Sequence, residues 1–204
     1  DNADWEYWHQ YWLDFCFNWL KSIGLREELM GLDVHEKEKL AHYSKACTDI
    51  TFHYPFGVQE LEGIAARGNF DLTQHQNASG KNLEYFDEEQ GRNYLPHVIE
   101  PAIGVDRLVL AVICSAYFEE KIENETRVVL KFHPRIAPIK AAVLQLVKNK
   151  PEVVACAQNL YSKLAKHWNI LTISESKSYD SIVLANVKFF HSGFTESISR
   201  DMGS

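Results

Sequence analysis

The sequence predicts an α+β protein, in which an antiparallel sheet flanked by helices precedes a small α/β domain. Two strand-like runs, DITFHYPF and VQELEGIA, are joined by a Pro/Gly turn, which favours antiparallel pairing. Near the C-terminal end the order strand, strand, helix, strand favours a separate α/β unit. A length of 204 residues allows one large domain or two small ones. With 46% hydrophobic and 24% charged residues, the composition excludes a wholly disordered, collagen-like or coiled-coil chain.

The first predicted element is a helix over WEYWHQYWLDFCFNWLKSIGL, with Asp4 as N-cap and Gly24 as the terminating residue. Its aromatic residues recur at helical spacing. We interpret this stripe as packing against the sheet, with a platform for a cofactor or a base as the alternative. Residues 33–45 predict a second, polar helix. His35 and His42 lie seven residues apart there, which does not fit the spacing of four in a helical HExxH zinc motif.

Three further segments complete the first predicted domain. Residues 68–83 lack a period and predict a loop, and residues 84–100 predict a hairpin that turns across DEEQG. The run HVIEPAIGVDRLVLAVI predicts a strand, a turn and a helix. Residues 119–126 are charged and non-periodic, which predicts a linker. We therefore place the domains at 1–123 and 124–204.

The second predicted domain contains the strands RVVLKF, AAVLQLVKN and ILTIS. Between the last two lies an amphipathic helix that starts at Pro151, a residue favoured in the first helical turn. This alternation of elements is the basis of the α/β assignment.

Cysteine usage and hydropathy favour a cytoplasmic protein. Cys16, Cys47, Cys114 and Cys156 form no CxxC or zinc-type spacing, which indicates buried thiols in a reducing compartment. The sequons at Asn77 and Asn124 are then chance matches. The longest apolar stretch, about 11 residues, is shorter than the roughly 20 that span a bilayer, so no membrane is expected as a partner. Residues 1–4 do not fit a signal peptide.

Two carboxylates in the strand VQELEGIA form the first candidate site. Glu60 and Glu62 are two residues apart, so an ideal strand projects both from one face. Paired anions favour a bound cation such as Mg²⁺, an ammonium group or an arginine. The alternative is a strand whose polar residues simply face solvent. The residues alone do not decide between these two interpretations.

A carboxylate and a guanidinium form the second candidate site. Glu100 lies at a predicted strand end and Arg107 in the first turn of the next helix. Free N–H groups at a helix N-terminus, together with a guanidinium, favour an anion such as phosphate. The carboxylate suits an amine, so the pair predicts a pocket for an amino acid beside a nucleotide. The alternative is a structural Glu–Arg ion pair. No P-loop, GxGxxG or GxSxG motif occurs.

A basic stripe is the third candidate. The net charge is −7, which excludes a globally basic nucleic-acid-binding surface, yet residues 126–151 hold six basic residues and no acidic one. Such a stripe either contacts phosphates or is a solvated face. Four of its residues that could contact phosphate are Arg127, Lys131, Arg135 and Lys140.

Several of these segments resemble glycyl-tRNA synthetases, a family of class II aminoacyl-tRNA synthetases. HVIEPAIGVDRLVLAVI resembles the family's motif 3, and FGVQELEGIAARGNFDLTQHQ its glycine-pocket strand, preceded by AHYSKACTDI. VVLKFHPRIAPIKAAVLQLVKNKPEV resembles the start of the anticodon-binding domain, and WEYWHQYWLDF the helix after motif 2. The resemblance covers roughly residues 5–172.

The resemblance implies a six- or seven-stranded antiparallel class II sheet and an anticodon-binding-like α/β domain. It implies ATP-dependent activation of glycine, transfer to tRNA(Gly), Mg²⁺ as cofactor, and a homodimer for the full-length protein. It places the ATP site at Glu60, Leu61, Gly104, Val105, Asp106 and Arg107. It places the glycine pocket at Glu100, Pro101, Ala102, Ile103 and Gly104. Glu100 would hold the ammonium group, and Glu62 is a possible metal-linked carboxylate. Arg127, Lys131, Arg135 and Lys140 would be candidate tRNA contacts.

Three departures from the family pattern qualify this expectation. Ala102 replaces a usual Ser, Gln145 replaces a usual Pro, and residues 174–204 lack the family's Gly/Arg-rich continuation. Motifs 1 and 2 are not in the sequence, so we expect a fragment of a synthetase or a truncated paralogue that forms no adenylate by itself. The alternatives are a catalytically silent synthetase-like tRNA-binding or accessory module and an unrelated amino-acid–AMP ligase.

Overall fold

The fold is described from a computed structural model, which covers residues 4–42, 44–122, 125–144 and 149–173. The chain forms two compact units, Asp1–Ser115 and Ala116–Ser204. The domain boundary predicted from the sequence falls between residues 123 and 124, which lie outside the described residues. So do Gln145 and the atypical segment 174–204. Among the described residues, every helix is too short or too polar to cross a membrane.

The first unit is built around a four-stranded antiparallel sheet in the order β1-β2-β3-β6. Its elements in chain order are α1 (Trp5–Ser22), β1 (Met30–Val34), β2 (Ala46–Tyr54), β3 (Gly57–Gly68), α2 (Phe70–Ser79), β4 (Tyr85–Asp87), β5 (Arg92–Tyr94), β6 (Val98–Ile103) and α3 (Val105–Ala116). This sheet confirms the predicted antiparallel α+β arrangement. Additional strands of a six- or seven-stranded class II sheet are not among the described residues.

One face of the sheet is apolar because alternate residues of β2 and β3 are buried there. Ile50, Phe52 and Ile64 are fully shielded from solvent. Helix α1 packs against this sheet, and the His9 Nε2 atom lies 3.0 Å from the main-chain oxygen of Ile64. The core of the first unit therefore lies between α1 and the apolar face of the sheet.

Helix α1 is confirmed, but the prediction that its aromatic stripe packs against the sheet is wrong for Trp8, Phe15 and Trp19. The buried positions are His9, Leu13, Cys16 and Leu20, which recur at intervals of three and four. In contrast, Trp8 is 45% exposed and Phe15 is 52% exposed. The aromatic and the buried positions share helical periodicity, so spacing alone could not show which stripe faces the sheet.

Two other expectations about secondary structure are wrong. Residues 33–45 are not a helix: β1 continues to Val34 and pairs with β2, and the only helical turn after it, within 35–42, is a 3₁₀ turn at Lys37–Lys39. Pairing with a neighbouring strand overrides helical propensity there. Residues 68–83 are not a loop, because α2 occupies Phe70–Ser79. Gly80 ends α2 in a left-handed conformation, with φ of 65°.

The predicted hairpin over residues 84–100 is confirmed in part. β4 and β5 pair antiparallel, and Gly91 adopts a positive φ in the turn between them. The return strand does not run on to Glu100, however. β6 is a separate strand that starts at Val98 and pairs with β3, which brings Glu100 into the main sheet.

The second unit contains β7 (Tyr117–Ile122), β8 (Glu125–Leu130), β9 (Ala141–Leu144), α4 (Pro151–Leu164) and β10 (Ile170–Ile173). The linker predicted at 119–126 is wrong, because β7 and β8 pair across that segment as antiparallel strands. The predicted order strand, strand, helix, strand is confirmed by β8, β9, α4 and β10. β9 and β10 pair in parallel, with α4 between them in sequence.

Candidate functional site

The second face of the main sheet is polar and has a floor of small residues. The strand registers place Asp49, Gly63 and Ala102 opposite one another across β2, β3 and β6. The adjacent row contains Cys47, Ala65 and Glu100. Because side chains in a strand alternate between faces, both rows project to the same side. Small side chains in the centre leave room between the carboxylates at the edges.

Gly63 lies at the centre of this floor. A Cβ atom added to Gly63 would lie 3.3 Å from Asp49 Oδ1 and 3.5 Å from Glu60 Oε1. Two carboxylate oxygens from neighbouring strands thus converge above a residue that has no side chain. The floor of Gly63, Ala65 and Ala102 with the carboxylates beside it, here called the recess, is negatively charged and therefore suits a cationic group.

Glu100 is joined to an arginine that the sequence reasoning did not select. Arg67 Nη1 donates to Glu100 Oε2 at 2.8 Å, and Arg67 also binds Asp71 through Nε at 2.6 Å and Nη2 at 3.1 Å. Asp71 lies in the first turn of α2, four residues after Arg67. The pKa of the Asp71 carboxyl is lowered, chiefly by its hydrogen bonds from Arg67. Two carboxylates share one guanidinium, so the cluster keeps a net negative charge.

One interpretation of the sequence was an ion pair between Glu100 and Arg107. Arg107 does not form that pair. Its Nη1 donates to the main-chain oxygen of Glu60 at 2.8 Å and lies 3.4 Å from Glu60 Oε2. Glu100 is bonded to Arg67 and Arg107 to Glu60 instead, and the side chains of Glu100 and Arg107 are each about half exposed. The structural ion pair between Glu100 and Arg107 is therefore not formed.

The expectation that Glu60 and Glu62 share one face is wrong. The register of β3 against β2 shifts between Ile50 and Thr51, so Glu62 faces Ile50 while Glu60 faces Thr51. Leu61 lies between them as an extra residue without a partner in the register, and it interrupts the alternation of side chains along β3. Glu62 is only 4% exposed and hydrogen-bonds the Cys16 thiol of α1. Burial raises the pKa of the Glu62 carboxyl and, with Glu62, raises the pKa of Cys16 to about 12.

The other predicted site residues divide between the two faces. Leu61 is 1% exposed, so only its main chain can approach a ligand. Within β6, Ala102 shares the polar face with Glu100, whereas Pro101 and Ile103 alternate to the opposite one. Gly104 precedes α3, and the helix begins with Val105, Asp106 and Arg107.

The basic stripe of the second unit is partly neutralised. Arg127 Nη2 and Lys131 Nζ both contact Glu120, at 2.8 Å and 2.9 Å. Lys140 Nζ donates to the main-chain oxygens of Pro134 and Arg135. Glu120 precedes the basic run in sequence, and the pairing of β7 with β8 places it opposite Arg127. This contact was not predicted because residues 119–126 were expected to be a linker.

The polar face also holds a cluster of three residues that the sequence analysis did not predict. His35, Cys47 and Asp49 bring their donor atoms within 4.8 Å of one another. The sequence pattern that could have indicated this cluster is the CTD tripeptide, which places Cys47 and Asp49 two residues apart on one face of a strand. His35 was assigned to a helix that does not form, so it was not placed beside them.

Comparison with curated proteins agrees with the motifs. The chain is 51% identical over 163 residues to a glycine–tRNA ligase of Lachnoclostridium phytofermentans and 48% identical over 163 residues to one of Lachnospira eligens. It is 45% identical over 163 residues to a glycine–tRNA ligase of Bacillus cereus. Each match covers about 79–80% of this chain but 35% of the relative.

No protein-family model matches the chain. The chain spans about a third of the length of the curated relatives it matches, and these relatives share one name. The resemblance inferred from the motifs is thereby confirmed over most of the sequence. By sequence, this chain belongs to the glycyl-tRNA synthetase family and corresponds to a part of such a protein.

Proposed function

We propose that this chain forms part of a glycine–tRNA ligase, which activates glycine with ATP and transfers it to tRNA(Gly). One structural observation carries the proposal: the recess of Gly63, Ala65 and Ala102 is bordered by the carboxylates of Asp49, Glu60 and Glu100. The curated relatives named glycine–tRNA ligase support the same reaction. Residues 1–123 would belong to the catalytic domain and 124–204 to the anticodon-binding region.

Glu100 would hold the ammonium group of glycine. Within the described residues, Arg67 is the group that contacts its Oε2, which leaves Oε1 for the substrate. Because the Arg67–Asp71–Glu100 cluster keeps one net negative charge, a cationic ammonium group is attracted to it. The small side chain of Ala102 borders the recess, although it supplies no hydroxyl to the substrate.

Arg107 would face the nucleotide. It lies in the first turn of α3, where free N–H groups and the helix dipole favour a negatively charged ligand. Its bond to the Glu60 main chain fixes one edge of the guanidinium, and the side chain is 54% exposed. ATP would enter as its Mg²⁺ complex. Glu62 does not fit a role as Mg²⁺ ligand, because it is buried on the opposite face beside Cys16.

The proposed reaction has two steps. A carboxylate oxygen of glycine attacks the α-phosphorus of ATP, and pyrophosphate leaves with the electron pair of the broken P–O bond. A hydroxyl of the terminal ribose of tRNA(Gly) then attacks the carbonyl carbon, and AMP leaves. Holding the ammonium group beside the nucleotide aligns the attacking oxygen, which is the main contribution expected from these residues.

Binding of a non-hydrolysable adenylate tests the proposal without requiring turnover. Calorimetry would measure the affinity of glycyl-sulfamoyl-adenosine for the wild-type chain and for Glu100→Gln, with the exposed loop variant Glu84→Gln as matched control. Loss of a charged hydrogen bond worth about 1.5–3 kcal/mol predicts a roughly 10- to 100-fold weaker affinity for Glu100→Gln only. Equal affinities for the three proteins would reject the role of Glu100. A wild-type chain that binds tRNA(Gly) but no adenylate analogue would instead be the silent module.

A further inference from the structure

A histidine, a cysteine and an aspartate meet at one edge of the polar face. His35 Nε2 lies 2.8 Å from Asp49 Oδ2, and Cys47 Sγ lies 3.7 Å from Asp49 Oδ1. Each of the three residues is half-buried, and their donor atoms all lie within 4.8 Å of one another. The three donor atoms therefore lie close enough together for one ion to reach all of them, at residues that are partly open to solvent.

The backbone holds these donors in register. Cys47 and Asp49 are two residues apart on β2, so their side chains share a face. His35 follows the last residue of β1, and its main-chain N–H donates to the oxygen of Cys47 at 3.0 Å. Cys47 and Asp49 thus stand on a strand, and His35 directly follows the neighbouring strand and is bonded to β2, which is a more rigid support than a free loop.

The donor set matches the preference of one metal ion. Zn²⁺ binds imidazole nitrogen, thiolate sulfur and carboxylate oxygen at about 2.0–2.3 Å, and three protein ligands leave a fourth position open. Around a tetrahedral centre with such bonds, neighbouring donors lie roughly 3–4 Å apart. The distances of 2.8 Å and 3.7 Å are close to that spacing, so small side-chain rotations would admit the ion.

The surroundings also favour a cation. The carboxylates of Asp49, Glu60 and Glu100 lie on this face. Asp33 lies directly opposite Asp49 in the β1–β2 pair, where like charges repel. Arg67 and Arg107 already bind carboxylates of this face. A divalent cation would relieve the excess negative charge and displace the thiol proton.

We propose that His35, Cys47 and Asp49 bind a Zn²⁺ ion, with the fourth coordination position open to water or another ligand. On binding, the Cys47 thiol releases one proton to solvent. The proton that His35 Nε2 shares with Asp49 Oδ2 also leaves Nε2, so that Nε2 ligates the metal and the neutral imidazole carries its one proton on Nδ1. The site shares Asp49 with the border of the recess, whereas His35 and Cys47 are not among the proposed contacts of glycine and ATP. It does not depend on the proposed ligase activity.

Cobalt titration of the full 204-residue chain tests the site, because Co²⁺ substitutes for Zn²⁺ and is coloured. We expect d–d absorption in the visible range, a sulfur-to-cobalt charge-transfer band in the near ultraviolet, and loss of both on addition of one equivalent of Zn²⁺. Cys47→Ser should abolish the charge-transfer band, while Cys156→Ser, which alters an exposed thiol of α4, should retain it.

Two further variants keep the test independent of any folding defect in Cys47→Ser. His35→Gln and Asp49→Asn should each weaken Zn²⁺ binding at least tenfold in competition with a chromophoric chelator, with His53→Gln on the same sheet as control. Far-ultraviolet circular dichroism would verify that each variant is folded. A wild-type chain without the charge-transfer band, or a band that survives Cys47→Ser, would overturn the proposal. So would equal Zn²⁺ affinity in folded Asp49→Asn and wild type.

Discussion

Arg107 of α3 donates from Nη1 to the main-chain oxygen of Glu60, at 2.8 Å, rather than only to its side chain. The accompanying contact to Glu60 Oε2 is longer, at 3.4 Å, and both side chains are about half exposed. An ion pair this exposed contributes little to stability. The main-chain bond instead holds the start of α3 against the irregular segment of β3, and so fixes the direction of the guanidinium.

Arg107→Lys should therefore weaken nucleotide binding with little loss of stability. A lysine can keep the charge but cannot hold the Glu60 main chain and an anion together through one planar group. We expect a roughly tenfold weaker affinity for glycyl-sulfamoyl-adenosine, measured by calorimetry, and a free energy of unfolding within about 1 kcal/mol of wild type. Arg26→Lys, at an exposed position, is the control. An unchanged affinity for Arg107→Lys would show that Arg107 does not face the nucleotide.

Gly63→Ala should narrow the recess on the polar face. The new Cβ atom would lie 3.3 Å from Asp49 Oδ1, so that carboxylate must move by a few tenths of an ångström. We expect a modest destabilisation, about 1 kcal/mol, because only a side-chain end has to shift. The affinity for glycyl-sulfamoyl-adenosine should fall more than tenfold, since the floor beneath the ammonium group rises. Calorimetry and urea unfolding measure the two effects. Wild-type affinity in this variant would place the ligand elsewhere.

The sequence could predict the parts of this site that depend on local pattern. The helix that carries Arg107 follows from the apolar spacing of α3. The strand that carries Glu100 was also predicted, but its predicted end at Glu100 is wrong, because β6 continues through Pro101 to Ile103 by pairing with β3. The partners of Glu100 and Arg107 depend on the pairing of distant strands. Arg67 reaches Glu100 because β3 and β6 are neighbours, and no local signal gives that register.

The failure at Glu62 has a different physical cause. A strand period of two places Glu60 and Glu62 together, and one extra residue in β3 separates them. Whether a strand contains such an irregularity depends on its partner, here β2. The exposed aromatic residues of α1 illustrate the same limit, because periodicity identifies a stripe but not the surface that covers it.

Glu62→Gln should stabilise the chain at neutral pH. The Glu62 carboxyl is buried, its Oε2 has no hydrogen-bond partner among the described residues, and burial raises its pKa. The folded chain thus holds this proton more tightly than the unfolded chain does. The contribution of this tightly held proton to the free energy of unfolding is complete below the ordinary glutamate pKa of about 4.3. It is lost as pH rises through the higher pKa that Glu62 has in the folded chain.

Urea unfolding at pH 4 and pH 7.5 measures this effect. We expect Glu62→Gln to be more stable than wild type by about 1–2 kcal/mol at pH 7.5, because no charge is buried, and nearly equal to wild type at pH 4. The exposed Glu84→Gln should show no such dependence on pH. A difference that is the same at both pH values would mean that Glu62 stays ionised at negligible cost.

Glu120→Gln should strengthen tRNA binding by the second unit. Glu120 contacts both Arg127 and Lys131, so it neutralises part of the basic stripe. Removing its charge raises the local positive potential and frees two cations for phosphate. We expect a several-fold higher affinity for tRNA(Gly) at 50 mM salt and a steeper fall with salt, by up to about one or two units of log–log slope. Filter binding across a salt series measures both. Glu152→Gln in α4 is the matched control, and an affinity for Glu120→Gln no higher than for that control would remove Arg127 and Lys131 from the proposed tRNA contacts.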